Sequence, residues 1–160
     1  MSRVDDLPEN QLLEMIKDLQ RQLDEIKGRQ TIGSEIMIQM SPQWTDNWTA
    51  STSPQTVTGG FATIDFDAWK NYDLYFEAIG FGDGTANAKF DLYNVTAGSS
   101  MSGSEVTSTA HSSASPAVVR STKLTKPTGV VSFKARYWRD GGGGGDLANC
   151  IMARLVFKVG

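Results

Sequence analysis

The sequence predicts a mainly β protein, an antiparallel β-sandwich of jelly-roll-like form preceded by one N-terminal coiled-coil helix. Three observations carry this. Leu12, Ile16, Leu19, Leu23 and Ile26 recur at gaps of four, three, four and three, the spacing of a coiled-coil seam. After Arg29 the chain turns rich in Ser, Thr and Gly, and its apolar residues alternate in steps of two. No second helical stretch follows, so nothing between the strands could serve as the crossover helices of a parallel sheet. The expected division is an oligomerisation and attachment helix over 1–30 and a β-sandwich domain over 31–160.

The helix has a start and a stop. Asp6 can cap it, Pro8 falls in the first turn where its missing N–H is harmless, and Glu9 supplies the third-position carboxylate. From Asn10 to Lys27 there is no Gly, Pro or Thr. Gly28 and Gly33 then punctuate the exit. Two and a half heptads form only a marginal helix alone, so the stripe must be buried on something. Glu14, Lys17, Asp18, Arg21, Asp24 and Glu25 cover the far side, which favours self-association over packing back onto the domain. Leu13 and Met15 broaden the apolar surface and read as an attachment tip. Ile and Leu are mixed over the a and d positions, so the pattern leaves dimer and trimer open.

The strands follow in order. Residues 32–40 place Ile36, Ile38 and Met40 on one face, and Ser41-Pro42 ends the strand. Residues 43–60 read as a loop that leaves room for one short strand. From Phe61 to Trp69, Ala62, Ile64, Phe66 and Ala68 face inward, with Thr63, Asp65 and Asp67 outward. Tyr72, Leu74, Phe76 and Ala78 make the next inward set, and Gly80 to Gly84 make a turn. Ala88, Phe90 and Leu92 follow, then a Ser/Thr/Gly-rich stretch over 97–116 that reads as loop and edge strand. Val118 to Leu124 is a short strand. Val131, Phe133, Ala135 and Tyr137 form another, and the glycines at 141–145 a flexible hairpin tip. The last strand runs from Ala148 to Val159 with Ile151, Ala153, Leu155, Phe157 and Val159 inward.

Composition narrows the chemistry. A net charge of −3 gives no general pull toward nucleic acid or an anionic membrane. The opening residues contain no apolar core of a secretory signal, and no apolar run reaches membrane-spanning length, so membrane insertion is not expected. One cysteine, Cys150, excludes an internal disulfide and reads as a buried thiol. One histidine, His111, sits in a Ser/Thr-rich stretch, so no histidine metal cluster can be built and no cofactor is expected. Asp65 and Asp67, with Glu77 on a neighbouring strand, have the makings of a glycosidase carboxylate pair. Strand parity makes them an outward, solvated set instead, and no enzyme activity is expected. Asp65, Asp67 and Asp83 also offer the hard oxygen ligands a structural Ca²⁺ would need.

Two further patterns bear on partners. Trp44 and Trp48 lie in a loop, and Trp69 and Trp138 at strand ends; such aromatics stack on sugar faces or anchor interfaces, when they are not simply buried. Charge is segregated: residues 31–116 hold two basic against nine acidic side chains, and 117–160 hold eight against two. Cross-strand pairing inside one sandwich accounts for this. The sharper reading sets Arg120, Lys123, Arg136 and Arg139 against acidic surface of a neighbouring protomer.

A family resemblance enters here. Leu92-Tyr93-Asn94-Val95-Thr96, Gly103-Ser104-Glu105, Arg120-Ser121 with Leu124-Thr125-Lys126-Pro127-Thr128-Gly129, and Ala153-Arg154-Leu155-Val156 follow one another in chain order. That order resembles a jelly-roll sandwich of tailed-phage virion proteins and of some bacterial surface proteins. The heptads running into Gly28-Arg29-Gln30-Thr31-Ile32-Gly33 resemble the start of small minor tail proteins or fibres of siphophages. The resemblance implies a homotrimeric structural virion protein whose N-terminal helix docks onto other virion proteins. Its sandwich would be an adhesion module for host-surface glycan. The chain is much shorter than long receptor-binding fibres, which keeps open an alternative: a capsid decoration or head-fibre protein with no glycan ligand.

Overall fold

The computed structural model describes residues 17–19, 35–41 and 47–160. Residues 17–19 are helical, and Leu19 is exposed. The rest of the predicted seam, Leu12, Ile16, Leu23 and Ile26, lies outside the described residues, as do Leu13, Met15 and Trp44. The chain divides between Ser34 and Glu35, and from Glu35 onward it forms one compact unit.

Among the described residues that unit has ten strands: β1 (Glu35–Gln39), β2 (Asn47–Thr49), β3 (Gln55–Asp65), β4 (Tyr72–Gly82), β5 (Asn87–Asn94), β6 (Ser99–Ser100), β7 (Val106–Ser108), β8 (Ala117–Arg120), β9 (Val130–Asp140) and β10 (Ala148–Val159). Sheet A runs β1-β10-β4-β8, with β2 also on β10; sheet B runs β3-β9-β5-β6, with β7 also on β5. Every pairing is antiparallel. The first strand pairs with the last, and the chain then closes inward through β3 with β9, β4 with β8, and β5 with β7. This is a ribbon of nested antiparallel pairs folded over into two sheets, the connectivity of a jelly roll.

The core lies between the sheets. Leu74, Phe76 and Ala78 of β4 and Ala153, Leu155 and Phe157 of β10 face Phe90 and Leu92 of β5 and Phe133 and Ala135 of β9, all fully buried. Each buried Leu or Phe contributes about 1.5–3 kcal/mol relative to exposure. Alternation along these strands therefore fixes their register: a slip of one residue would turn the whole set to water.

The departures from simple alternation have physical causes. β3 starts at Gln55, six residues before the first residue of the predicted strand; its register on β9 shifts between Thr56 and Phe61, where Gly59 takes a positive φ of 70°. Such a bulge interrupts the two-residue period and hides the strand. Phe66 is buried as expected, but in the turn after β3, where its ring meets Phe133 edge-on at 5.7 Å; Ala68 is exposed. In β10 the register shifts between Cys150 and Met152. Inward parity before that shift belongs to Ala148 and Cys150, so Ile151 is buried but outside the main core cluster.

Candidate functional site

The most informative surface lies where β10 begins. Asn149 is paired in register with Trp48 of β2 on one side and Phe81 of β4 on the other. Ala148 and Cys150 point into the core, and Gly80 pairs with Cys150, so Trp48, Asn149 and Phe81 share the outer face of sheet A. Strands two steps apart are separated by about 9–10 Å, yet the Trp48 and Phe81 ring centroids are 5.3 Å apart with planes at 87°. The two rings therefore lean together across Asn149. Trp48 keeps 41% of its surface exposed, whereas Phe81 and Asn149 are buried at 5% and 4%.

Asn149 stands out chemically. Its Oδ1 is buried with no hydrogen-bond partner. A buried acceptor in that state costs about 1–3 kcal/mol, and native proteins contain few of them. The backbone around it is tightly specified: a Cβ on Gly80 would overlap the Asn149 carbonyl oxygen and press the Phe90 ring at 2.6 Å. β2 is held in place by Asn47, buried, whose Oδ1 accepts from Thr58 N at 2.9 Å.

The adjoining loops are clamped by one carboxylate. Asp146 Oδ2 accepts from Thr85 N at 3.0 Å, Thr85 Oγ1 at 3.1 Å and Gly143 N at 2.9 Å. These bonds, the Thr85 backbone N–H first and Gly143 next, hold its pKa below the ordinary carboxylate value. Asp146 N also donates to Gly143 O, and Arg139 Nη1 donates to the same carbonyl. The glycine run over 141–145, expected as a flexible tip, is thus a defined turn tied to the β4–β5 loop. Gly84 and Gly142 take positive φ, and a Cβ on either would meet the Asp146 carboxylate.

The other aromatics lie elsewhere. Trp69 packs in the turn before β4, its ring 4.3 Å from Phe157 and 5.3 Å from Tyr72. Trp138 is buried on the outer side of β9. Among the described tryptophans, Trp48 is the one classed as exposed.

Of the carboxylates expected as one outward, solvated set, Asp65 and Asp67 are exposed neighbours and Glu77 stands apart. Asp65 ends β3 and Asp67 follows in the turn, its N–H donating to Asp65 Oδ1 at 3.1 Å. Glu77 belongs to β4, in the other sheet, and is buried rather than solvated. Asp83 sits in the β4–β5 loop, its Oδ1 accepting from Gly84 N at 2.8 Å. Among the described residues no three His, Cys, Asp or Glu side chains gather as a metal-holding group. His111 is exposed after β7, and burial pushes the Cys150 thiol up to about 12.

Each of the four basic residues has a partner in its own chain. Arg120 donates from Nη1 and Nη2 to the Glu35 carboxylate at 2.6 and 2.9 Å, and from Nε to Glu77 Oε2 at 2.8 Å. Arg154 Nε donates to the other Glu77 oxygen at 2.5 Å. Lys123 pairs with Asp73 at 2.7 Å, Arg136 with Asp91 and Ser100, and Arg139 with the Gly143 carbonyl. The topology explains the charge segregation: β8, β9 and β10, from the basic end of the chain, each pair with strands from the acidic part.

Phe81, Asn149 and Asp146 escaped the sequence reading. Phe81 was visible only as part of a turn. The Asp after the glycine run is a recognisable turn-capping signal, whereas nothing local marks Asn149.

No protein-family model matches the chain, and no curated protein matches it. Solved structures similar to it include two carbohydrate-binding modules. One is a carbohydrate-binding module, CBM36, in complex with calcium and xylotriose, 13% identical over 76% of this chain and 98% of that one, with a TM-score of 0.44. The other is the CBM36-1 domain of a multidomain xylanase from the hindgut metagenome of Trinervitermes trinervoides, 13% identical over 78% of this chain and 96% of that one, with a TM-score of 0.46.

Proposed function

We propose that this chain is a non-catalytic display protein whose β-sandwich binds host-surface glycan through the Trp48 face. The observation that carries the reading is Trp48 itself, a large aromatic left 41% exposed while Phe81 supports its ring edge-on at 5.3 Å. A half-exposed indole offers an apolar face for the C–H side of a sugar ring. Neighbouring polar groups would supply the hydrogen bonds that orient such a ligand.

The setting we propose follows from the sequence resemblance: the virion of a tailed phage, with the sandwich carried on a trimeric N-terminal helix as a minor tail protein or fibre. Three sandwiches on one stalk would raise a weak single-site affinity by avidity. The alternative, a capsid decoration or head-fibre protein without a glycan ligand, keeps the same architecture and assigns Trp48 to contact with another virion protein.

The deciding experiment is a glycan array probed with the full chain and with Trp48→Ala. Saturable binding that the substitution removes supports the adhesion reading. An empty array with stable incorporation into virions favours the decoration reading.

A further inference from the structure

We infer that Asn149 Oδ1 is the hydrogen-bond acceptor for the bound sugar, closed off in the free protein by the Trp48 ring and opened when that ring pivots away from Phe81. The inference rests on the glycan-binding reading above and deepens it. Three features converge. Asn149 is buried to 4% exposure and its Oδ1 has no partner. Its cross-strand neighbours on both sides are aromatic, and their rings touch across it. One of the two, Trp48, lies on a three-residue strand whose one strand partner among the described residues is β10, and is the exposed member; Phe81 lies in the eleven-residue β4 and is buried.

The asymmetry assigns the moving part. Phe81 is fixed within a central strand, so access to the amide comes from Trp48 turning about its side-chain torsions. An indole so displaced still presents its face outward, and the group that enters beneath it meets an acceptor oxygen. The ligand must therefore carry a donor, a sugar hydroxyl or an acetamido N–H, next to an apolar ring face. A bare carboxylate or phosphate, which only accepts, does not satisfy the site. An unpaired acceptor held in reserve also separates two properties that usually move together: replacing it with an apolar side chain of similar size removes an unsatisfied group, so stability holds or rises while binding falls.

The test uses the full chain labelled with 5-fluorotryptophan and a panel of neutral hexose and N-acetylhexosamine oligosaccharides. The Trp48 ¹⁹F resonance is assigned by its loss in Trp48→Phe. The expected results are a shift of that resonance on adding a bound oligosaccharide, and at least a tenfold weaker affinity in Asn149→Leu, which melts at the parent temperature or above. Binding that Asn149→Leu retains overturns the inference while leaving the glycan reading intact. A Trp48 resonance that stays in place on binding overturns it too, as does Asn149→Leu melting several degrees lower. A parent that binds nothing in the panel removes the reading beneath it, and the inference falls with it.

Discussion

Glu77→Ala is the substitution whose effect the structure specifies most closely. The Glu77 side chain is 3% exposed although it lies on the outer face of sheet A, because two arginines close over it. One of its oxygens takes Arg120 Nε at 2.8 Å and Nη2 at 2.7 Å; the other takes Arg154 Nε at 2.5 Å and Nη2. Arg120 passes the network on to Glu35, so side chains from β4, β8, β10 and β1 are joined. Removing one partner of a buried ion pair costs about 3–5 kcal/mol, chiefly because the remaining charge is stranded. The arginines here are not fully stranded: their side chains stay 33% and 22% exposed and can turn to water, and Arg120 keeps Glu35. The expected loss is thus about 2–3 kcal/mol. At roughly 3–5 °C per kcal/mol for a domain of this size, Tm falls by about 10 °C. Calorimetry of the parent, Glu77→Ala, Arg154→Ala and the double variant measures both the loss and a coupling of about 1–2 kcal/mol between the two side chains. Because Glu77 is shielded, most of the loss persists in 1 M NaCl, unlike that of the exposed Lys123–Asp73 pair. A Tm within 2 °C of the parent, or a coupling near zero, would mean that Glu77 does not hold the two arginines in a stabilising network.

Three further outcomes follow from the same structure. Asp146→Ala releases the β9–β10 turn, seen as faster amide exchange at Thr85 and Gly143 with the core strands unchanged. Since the folded-state pKa of Asp146 lies below its unfolded value, the clamp is complete above the ordinary carboxylate pKa. It is lost only as pH falls through the lower folded value, so exchange at those two amides rises in that acid window. Cys150, with its thiol pushed up to about 12, stays unreactive to a disulfide reagent at pH 8 until the chain is denatured, whereupon it titrates as one thiol. For the proposed stalk, light scattering gives three chain masses for the full protein and one for a chain starting at Thr31. Equal monomer masses for both would remove the self-association claim.

How much of this was legible follows from whether a signal is local. The alternation of Leu74, Phe76 and Ala78, or of Val131, Phe133 and Ala135, is written in consecutive residues, and the structure places those faces in the core as the period requires. Where a bulge breaks the period the alternation misleads: β3 loses its first half around Gly59, and the two-residue step assigns Ile151 the inward place that Cys150 holds. The segregation of charge was equally plain, but its cause was topological. Glu77 meets Arg120 and Arg154 because jelly-roll nesting interleaves late strands with early ones. Trp48 could be singled out as an aromatic in a Thr-rich stretch; that Asn149 lies beneath it follows only from the β2–β10 register. An unpaired amide oxygen has no sequence signature at all. It is defined by what the fold fails to bring near it.

Titration calorimetry measures the proposed binding of glycan through Trp48. The full chain is titrated with an oligosaccharide selected on the array, in parallel with Trp48→Ala, and the sugar is recovered and analysed afterward. Expected are saturable binding by the parent, at least a tenfold loss in Trp48→Ala at an unchanged fold, and an intact oligosaccharide. Equal affinities for the two proteins, or a cleaved sugar, would contradict the proposal.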